Sequence, residues 1–124
     1  MTGSNATSVH VLVVEDDPLV RMLAVAIVVA DAECDVLHCA NADEAIKLLD
    51  AHPEITVLFT DIDMPGSMKG LRLAETAKAM RPDLVVVIAS GHLKPGALLP
   101  QGSVFFPKPY TPTEIISAIK GPAG

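Results

Sequence analysis

Five apolar, largely β-branched stretches recur at regular intervals, at Val9 to Val14, Cys34 to Cys39, Ile55 to Thr60, Leu84 to Ala89 and Ser103 to Phe106. In the strongest of them the apolar residues run on almost without alternating with polar ones, the pattern of a strand buried on both faces. Such a strand needs cover above and below. The intervening segments carry helix signals and are long enough for crossovers, which parallel strands require. The chain is therefore expected to fold as parallel βαβ units with right-handed connections, an α/β domain rather than a β-sandwich or a bundle.

The helix signals are local and specific. Asp17 precedes Pro18, a proline at the first helical position whose missing N–H costs nothing, and predicts a helix to about Ala32. Asn41 with Glu44 three residues on resembles a capping box, opening a helix that ends near Ala51 before Pro53. Leu71 to Met80 stops at Arg81-Pro82, and Thr111, Pro112 and Glu114 open a last helix to about Lys120. Pro107 and Pro109 suit the fifth strand to a sheet edge, where a missing donor is tolerated. Residues 1–8 read as a flexible tail, 9–120 as the domain and 121–124 as a C-terminal tail.

At 124 residues the chain fits a single domain with one substantial core. Only 3% of residues are aromatic, so that core must be aliphatic. The net charge of −6 supplies no basic footprint and argues against direct nucleic-acid binding. Met22 to Ala30, the most apolar segment, is far shorter than a membrane span, and no signal-peptide pattern precedes it, so a cytoplasmic protein is expected. Cys34 and Cys39 stand at odd spacing on one strand, which directs them to opposite faces and predicts reduced thiols. His10, His38, His52 and His92 show no metal-ligand spacing.

The chemistry-bearing residues collect just past the apolar runs: Glu15, Asp16 and Asp17 after the first, Asp61 and Asp63 after the third, and Lys108 after the fifth. In an open parallel sheet the ligand crevice lies beyond the carboxyl ends of the strands, so these side chains converge. Crowded carboxylates repel unless a hard divalent cation joins them, and a nearby lysine can neutralise an incoming anion. The pattern points to metal-assisted phosphoryl chemistry.

In this order, the segments VLVVEDDP, VLFTDIDMPG, VVVIASG and FFPKPY resemble the receiver domain of two-component response regulators, over about Val9 to Lys120. The resemblance implies a flavodoxin-like doubly wound sheet of five strands in order 2-1-3-4-5. It makes Asp61 the phosphoacceptor, Asp16 a direct Mg²⁺ ligand, Glu15 a ligand through water and Asp63 a ligand through its backbone carbonyl. Asp17 is then only a helix cap. Ser90 matches the switch hydroxyl, Lys108 the phosphoryl-pairing lysine and Phe105 the aromatic rotor, with a cis bond before Pro109. It further implies a sensor histidine kinase or histidine phosphotransfer protein as donor, a separate downstream protein, and one-site signalling chemistry with self-dephosphorylation instead of metabolic turnover. A stand-alone, chemotaxis-regulator-like receiver is the expectation, with homodimerisation left open.

Two departures stand out. The interval from Ser90 to Lys108 is short for the family and holds Pro95, Gly96, Pro100 and Gly102, so a full fourth helix does not fit; one short turn or an extended loop is expected over Leu93 to Gly102. That puts dimerisation or partner binding through the usual fourth-helix face in doubt. The loop after Asp61, at Gly66-Ser67-Met68, is also longer. Two rival readings are a degenerate receiver serving only as a binding module and a haloacid-dehalogenase-type phosphatase built on Asp61-Ile62-Asp63. Against the phosphatase, that motif lies on the third strand and no length remains for a cap.

Overall fold

The computed structural model describes residues 9–30, 34–62, 70–91, 102–108 and 111–120. Over these residues the chain runs β1 (Val9–Val14), α1 (Pro18–Val29), β2 (Cys34–Cys39), α2 (Ala42–Ala51), β3 (Val57–Asp61), α3 (Gly70–Met80), β4 (Val85–Ser90), β5 (Val104–Pro107) and α4 (Pro112–Lys120). The strands form one parallel sheet in the order β2-β1-β3-β4-β5, the doubly wound order expected from the sequence. The short turn or extended loop expected over Leu93 to Gly102 lies outside the described residues except for Gly102, as do residues 63–69, where the longer loop was expected.

Side-chain alternation along the buried strands divides the core into two layers. Leu12, Val14, Leu58, Val86 and Ile88 face one side with Ala45 and Leu49 of α2 and Leu73 and Ala77 of α3. Val11, Val13, Val57, Phe59, Val87 and Ala89 face the other with Ala24 and Val28 of α1 and Ile115 and Ile119 of α4. Burying each such aliphatic side chain contributes about 1.5–3 kcal/mol. Truncating Leu58, which is fully buried at the sheet centre, would cost roughly 2–5 kcal/mol through lost contacts and a residual cavity. Cys39 joins the first layer and Cys34 the second, and neither forms a disulfide among the described residues. Burial pushes the Cys39 thiol up to about 11, which makes it a packing residue and a poor nucleophile.

The caps form as the sequence predicts, with one variation. Asp17 accepts from Leu19 N–H at 2.9 Å and Val20 N–H at 3.2 Å. Thr111 and Glu114 form a reciprocal capping box at 3.2 and 2.8 Å. Asn41 accepts from Glu44 N–H at 2.9 Å, but the Glu44 carboxylate reaches the Ala40 N–H, one residue further out than in the standard box. Helix α1 ends at Val29 with Ala30 as its cap, short of the expected Ala32, and residues 31–33 are not described.

Strands β3, β4 and β5 each extend one residue beyond their apolar runs, to Asp61, Ser90 and Pro107. Register explains the extension. Asp61 pairs with Ala89 and Ser90 with Pro107, so the ladder continues under polar side chains whose backbones still bond across it. β5 is an edge strand, as its prolines suggested, and Gly102 enters it with a φ of 85°, a conformation costly for residues with a Cβ.

Candidate functional site

The three central strands deliver their last residues to one point. Glu15 follows β1, and its backbone N–H donates to Cys39 O of β2 at 3.1 Å, fixing the turn out of the strand. Asp61 ends β3; its neighbour Ile62 donates to Ala89 O at 3.1 Å. Glu15 and Asp61 are both buried, Asp16 is half-buried, and one carboxylate oxygen from each lies within 4.8 Å of the others. Asp17, next in sequence, turns away and caps α1. Its N–H nonetheless donates to Glu15 Oε2 at 3.2 Å, so the start of the helix also orients the acidic group.

Lys108 enters from the β5 side. Its Nζ stands 2.8 Å from Asp61 Oδ2 and 3.8 Å from Glu15 Oε1, a cation set against two buried carboxylates. The Lys108 backbone N–H donates to Ser90 O at 3.0 Å, which ties the lysine to the end of β4. Ser90 is itself buried, and the neighbouring Gly91 leaves an open approach to Lys108, its nearest contact being Lys108 Cβ at 3.9 Å from where a Cβ would stand. Phe105 is half-buried against the α2–α3 layer, in register with Ile88, while Phe106 faces the opposite layer.

Electrostatics separate the members of the group. Burial is the largest effect on Glu15 and lifts its carboxyl from an ordinary value near 4.5 to about 7. The Asp17 N–H opposes this, contact with Asp16 and the charge of Asp61 reinforce it, and Lys108 partly offsets them. Three convergent carboxylate oxygens make a hard donor set suited to a divalent cation such as Mg²⁺. Asp63 and Pro109 lie outside the described residues, so their expected roles rest on the sequence alone.

Sequence reasoning passed over Arg21. Its Nη1 donates to Glu15 O at 2.9 Å, pinning α1 to the acidic turn. The available signal was a single charge in an otherwise apolar helix, which calls for a polar partner nearby. Thr60 was also unremarked; it is fully buried, and its hydroxyl donates to Asp61 O at 3.1 Å.

Comparison with known proteins identifies the family. Residues 11–120 match the model of the response regulator receiver domain. The chain is 38% identical over 85 residues to a protein-glutamate methylesterase/protein-glutamine glutaminase of Rhizobium etli, covering 65% of this chain and 23% of that protein. It is 33% identical over 85 residues to a putative NtrX-like response regulator of Rickettsia bellii, covering 68% of this chain and 17% of that one. The matched segment thus spans a quarter or less of these relatives. Among solved structures, a two-component transcriptional regulator AraC from Clostridium phytofermentans superposes with a TM-score of 0.76 at 30% identity, covering 91% and 90% of the two chains. A receiver protein from Sinorhizobium medicae gives 0.78 at 24% identity over 90% and 91%, a likeness of fold.

Proposed function

This chain belongs to the response regulator receiver family of two-component systems, and from that premise we propose that Asp61 accepts a phosphoryl group from a histidine kinase or histidine phosphotransfer protein. The observation that carries the proposal is the placement of Lys108 Nζ 2.8 Å from the Asp61 carboxylate, with Glu15 and Asp16 completing an acidic cluster beside it. Glu15, Asp16 and Asp61 would hold Mg²⁺, together with the Asp63 carbonyl. When bound, the ion neutralises charge on the transferring phosphoryl oxygens.

The chain's own residues do the remaining work. Asp61 presents a carboxylate oxygen in line with the phosphorus–nitrogen bond of the donor, and phosphoryl transfer demands little beyond such positioning and charge stabilisation. Lys108 supplies a cation where negative charge collects, and its tie to Ser90 O keeps it on the β4 side of the pocket. After transfer, the Ser90 hydroxyl donates to a phosphoryl oxygen and draws its loop inward. Phe105, held only by partial burial, then reorients as the rotor of a two-state switch that a partner reads. Residues 9–120 constitute the working unit in this reading.

Intact-protein mass spectrometry after incubation with Mg²⁺ and acetyl phosphate or phosphoramidate tests the proposal. A single phosphoryl adduct, absent in Asp61→Asn and after chelation, is the expected result. No adduct from either small donor or from a phosphorylated kinase would turn the reading to a degenerate receiver that only binds partners.

A further inference from the structure

Arg21 holds the backbone on both sides of Asp16. Its N–H donates to Asp17 O at 2.8 Å, the ordinary opening bond of α1, and its Nη1 donates to Glu15 O at 2.9 Å. Asp16 is thus bracketed by two carbonyls that a single helix residue grips. Glu15 is fixed from other directions as well, its N–H donating to Cys39 O at 3.1 Å and its Oε2 accepting from Asp17 N–H at 3.2 Å. We propose that Arg21 is a positioning residue for the acidic cluster, one that sets Asp16 closely enough to make the site prefer Mg²⁺ to Ca²⁺. The inference rests on the reading of that cluster as a Mg²⁺ site.

The stability of α1 does not account for an arginine here. Every other residue of the helix is apolar, and Arg21 is half-buried. Its Nε is buried with no hydrogen-bond partner among the described residues, a desolvation cost that Met at the same position would avoid. The guanidinium cannot shed its charge, which also acts on the buried Cys39 thiol and so lies near the junction of β1 and β2. What offsets the cost is reach, since the long side chain ties α1 to the carbonyl that immediately precedes Asp16.

Placement of that kind matters more to one ion than to the other. Mg²⁺ demands nearly octahedral oxygen ligands at about 2.0–2.1 Å, whereas Ca²⁺ accepts irregular sets at about 2.3–2.6 Å. Without the Nη1 bond the Glu15–Asp16 peptide is freer to rotate and carries the Asp16 carboxylate with it. A displacement that Ca²⁺ absorbs then defeats Mg²⁺. Charge alone acts in the opposite direction, because removing a cation near three carboxylates strengthens the binding of any divalent ion. Positioning and electrostatics therefore differ in sign and in selectivity.

Amide NMR titrations of the full chain with Mg²⁺ and, separately, with Ca²⁺ test the inference without phosphorylation. The expected result in Arg21→Met is a Mg²⁺ Kd weakened about tenfold, the usual scale for losing a group that orients a metal ligand. The Ca²⁺ Kd should change by less than about threefold, so the preference for Mg²⁺ falls. A dispersed amide spectrum shows that the variant is folded; Arg21→Gln, polar but too short for the bond, replaces it if it is not. A ratio of the two dissociation constants equal to that of wild type overturns the proposal, whether both ions bind as before, both weaken alike or both tighten. A wild-type chain whose Glu15, Asp16 and Ile62 amides do not respond to Mg²⁺ refutes the metal site itself, and the inference falls with it.

Discussion

Replacing Glu15 with Gln should make the metal-free protein more stable, by an amount set by pH. Unfolded, the Glu15 carboxyl titrates near 4.5; folded, burial and its acidic neighbours raise it to about 7. Below the lower value both states hold the proton and the residue costs nothing. Between the two values the unfolded chain releases the proton while the folded chain keeps it, which progressively favours unfolding. Above pH 7 the folded state carries the full cost of a buried charge, about 3 kcal/mol for a shift of this size. Gln keeps the shape, and its side-chain oxygen can still accept from the Asp17 N–H. The gain in Glu15→Gln should therefore be near zero at pH 4.5, rise through pH 6 and level off at about 3 kcal/mol by pH 8. Chemical denaturation followed by circular dichroism in the presence of chelator measures it, the chain having no tryptophan to report. Saturating Mg²⁺ should shrink the difference, because the cation compensates the charge that only the wild type carries. A gain independent of pH, or a variant less stable than wild type at pH 8, would refute the reasoning.

Three further outcomes follow from the geometry. Thermal unfolding of the wild type should shift upward with Mg²⁺ by RT ln(1 + [L]/Kd), about 2.7 kcal/mol at a hundredfold excess over Kd, and Asp16→Asn should lose most of that shift. Lys108→Ala, which leaves Asp61 and Glu15 without the cation at 2.8 and 3.8 Å, should still take up phosphoryl groups from small donors but slowly, and the adduct should no longer alter hydrogen exchange in β5. At the opposite end of the sheet, Arg81 donates to the carbonyls of Leu49, His52, Pro53 and Ile55, closing the C-terminus of α2. Arg81→Ala should cost roughly 2–4 kcal/mol in denaturation while leaving phosphoryl uptake unchanged, since several partly buried acceptors lose their donor together.

The architecture and the acidic site were legible because their signals are local. β-branched runs without alternation mark doubly covered strands, and a proline behind Asp17 or Thr111 marks a helix start whatever the rest of the chain does. The strand ends were misjudged by one residue at Asp61, Ser90 and Pro107 because hydropathy reports side chains and the ladder is made by backbones. Arg81 read as a helix stop; its grip on four carbonyls depends on where the α2–β3 connection passes, which no local pattern encodes. That Leu19, Met22, Leu23 and Val29 of α1 stay exposed was likewise hidden, since a helix apolar nearly all round gives no indication of which face meets the sheet.

The pocket's two halves differ in stiffness. Glu15 and Asp16 follow directly on β1 and Asp61 ends β3, each strand paired on both sides and packed above and below. Lys108 follows a four-residue strand at the margin, bonded to β4 alone within the sheet, with Pro107 contributing no N–H and no residue of the strand fully buried. Strain imposed on such a site relaxes where the restoring force is least, so in the proposed function a charge added to Asp61 should move the margin and not the centre. Under the proposed function the acidic half would act as a fixed reference and the lysine half as its pointer, so that a small change at one carboxylate is read at the sheet's rim without loosening the core.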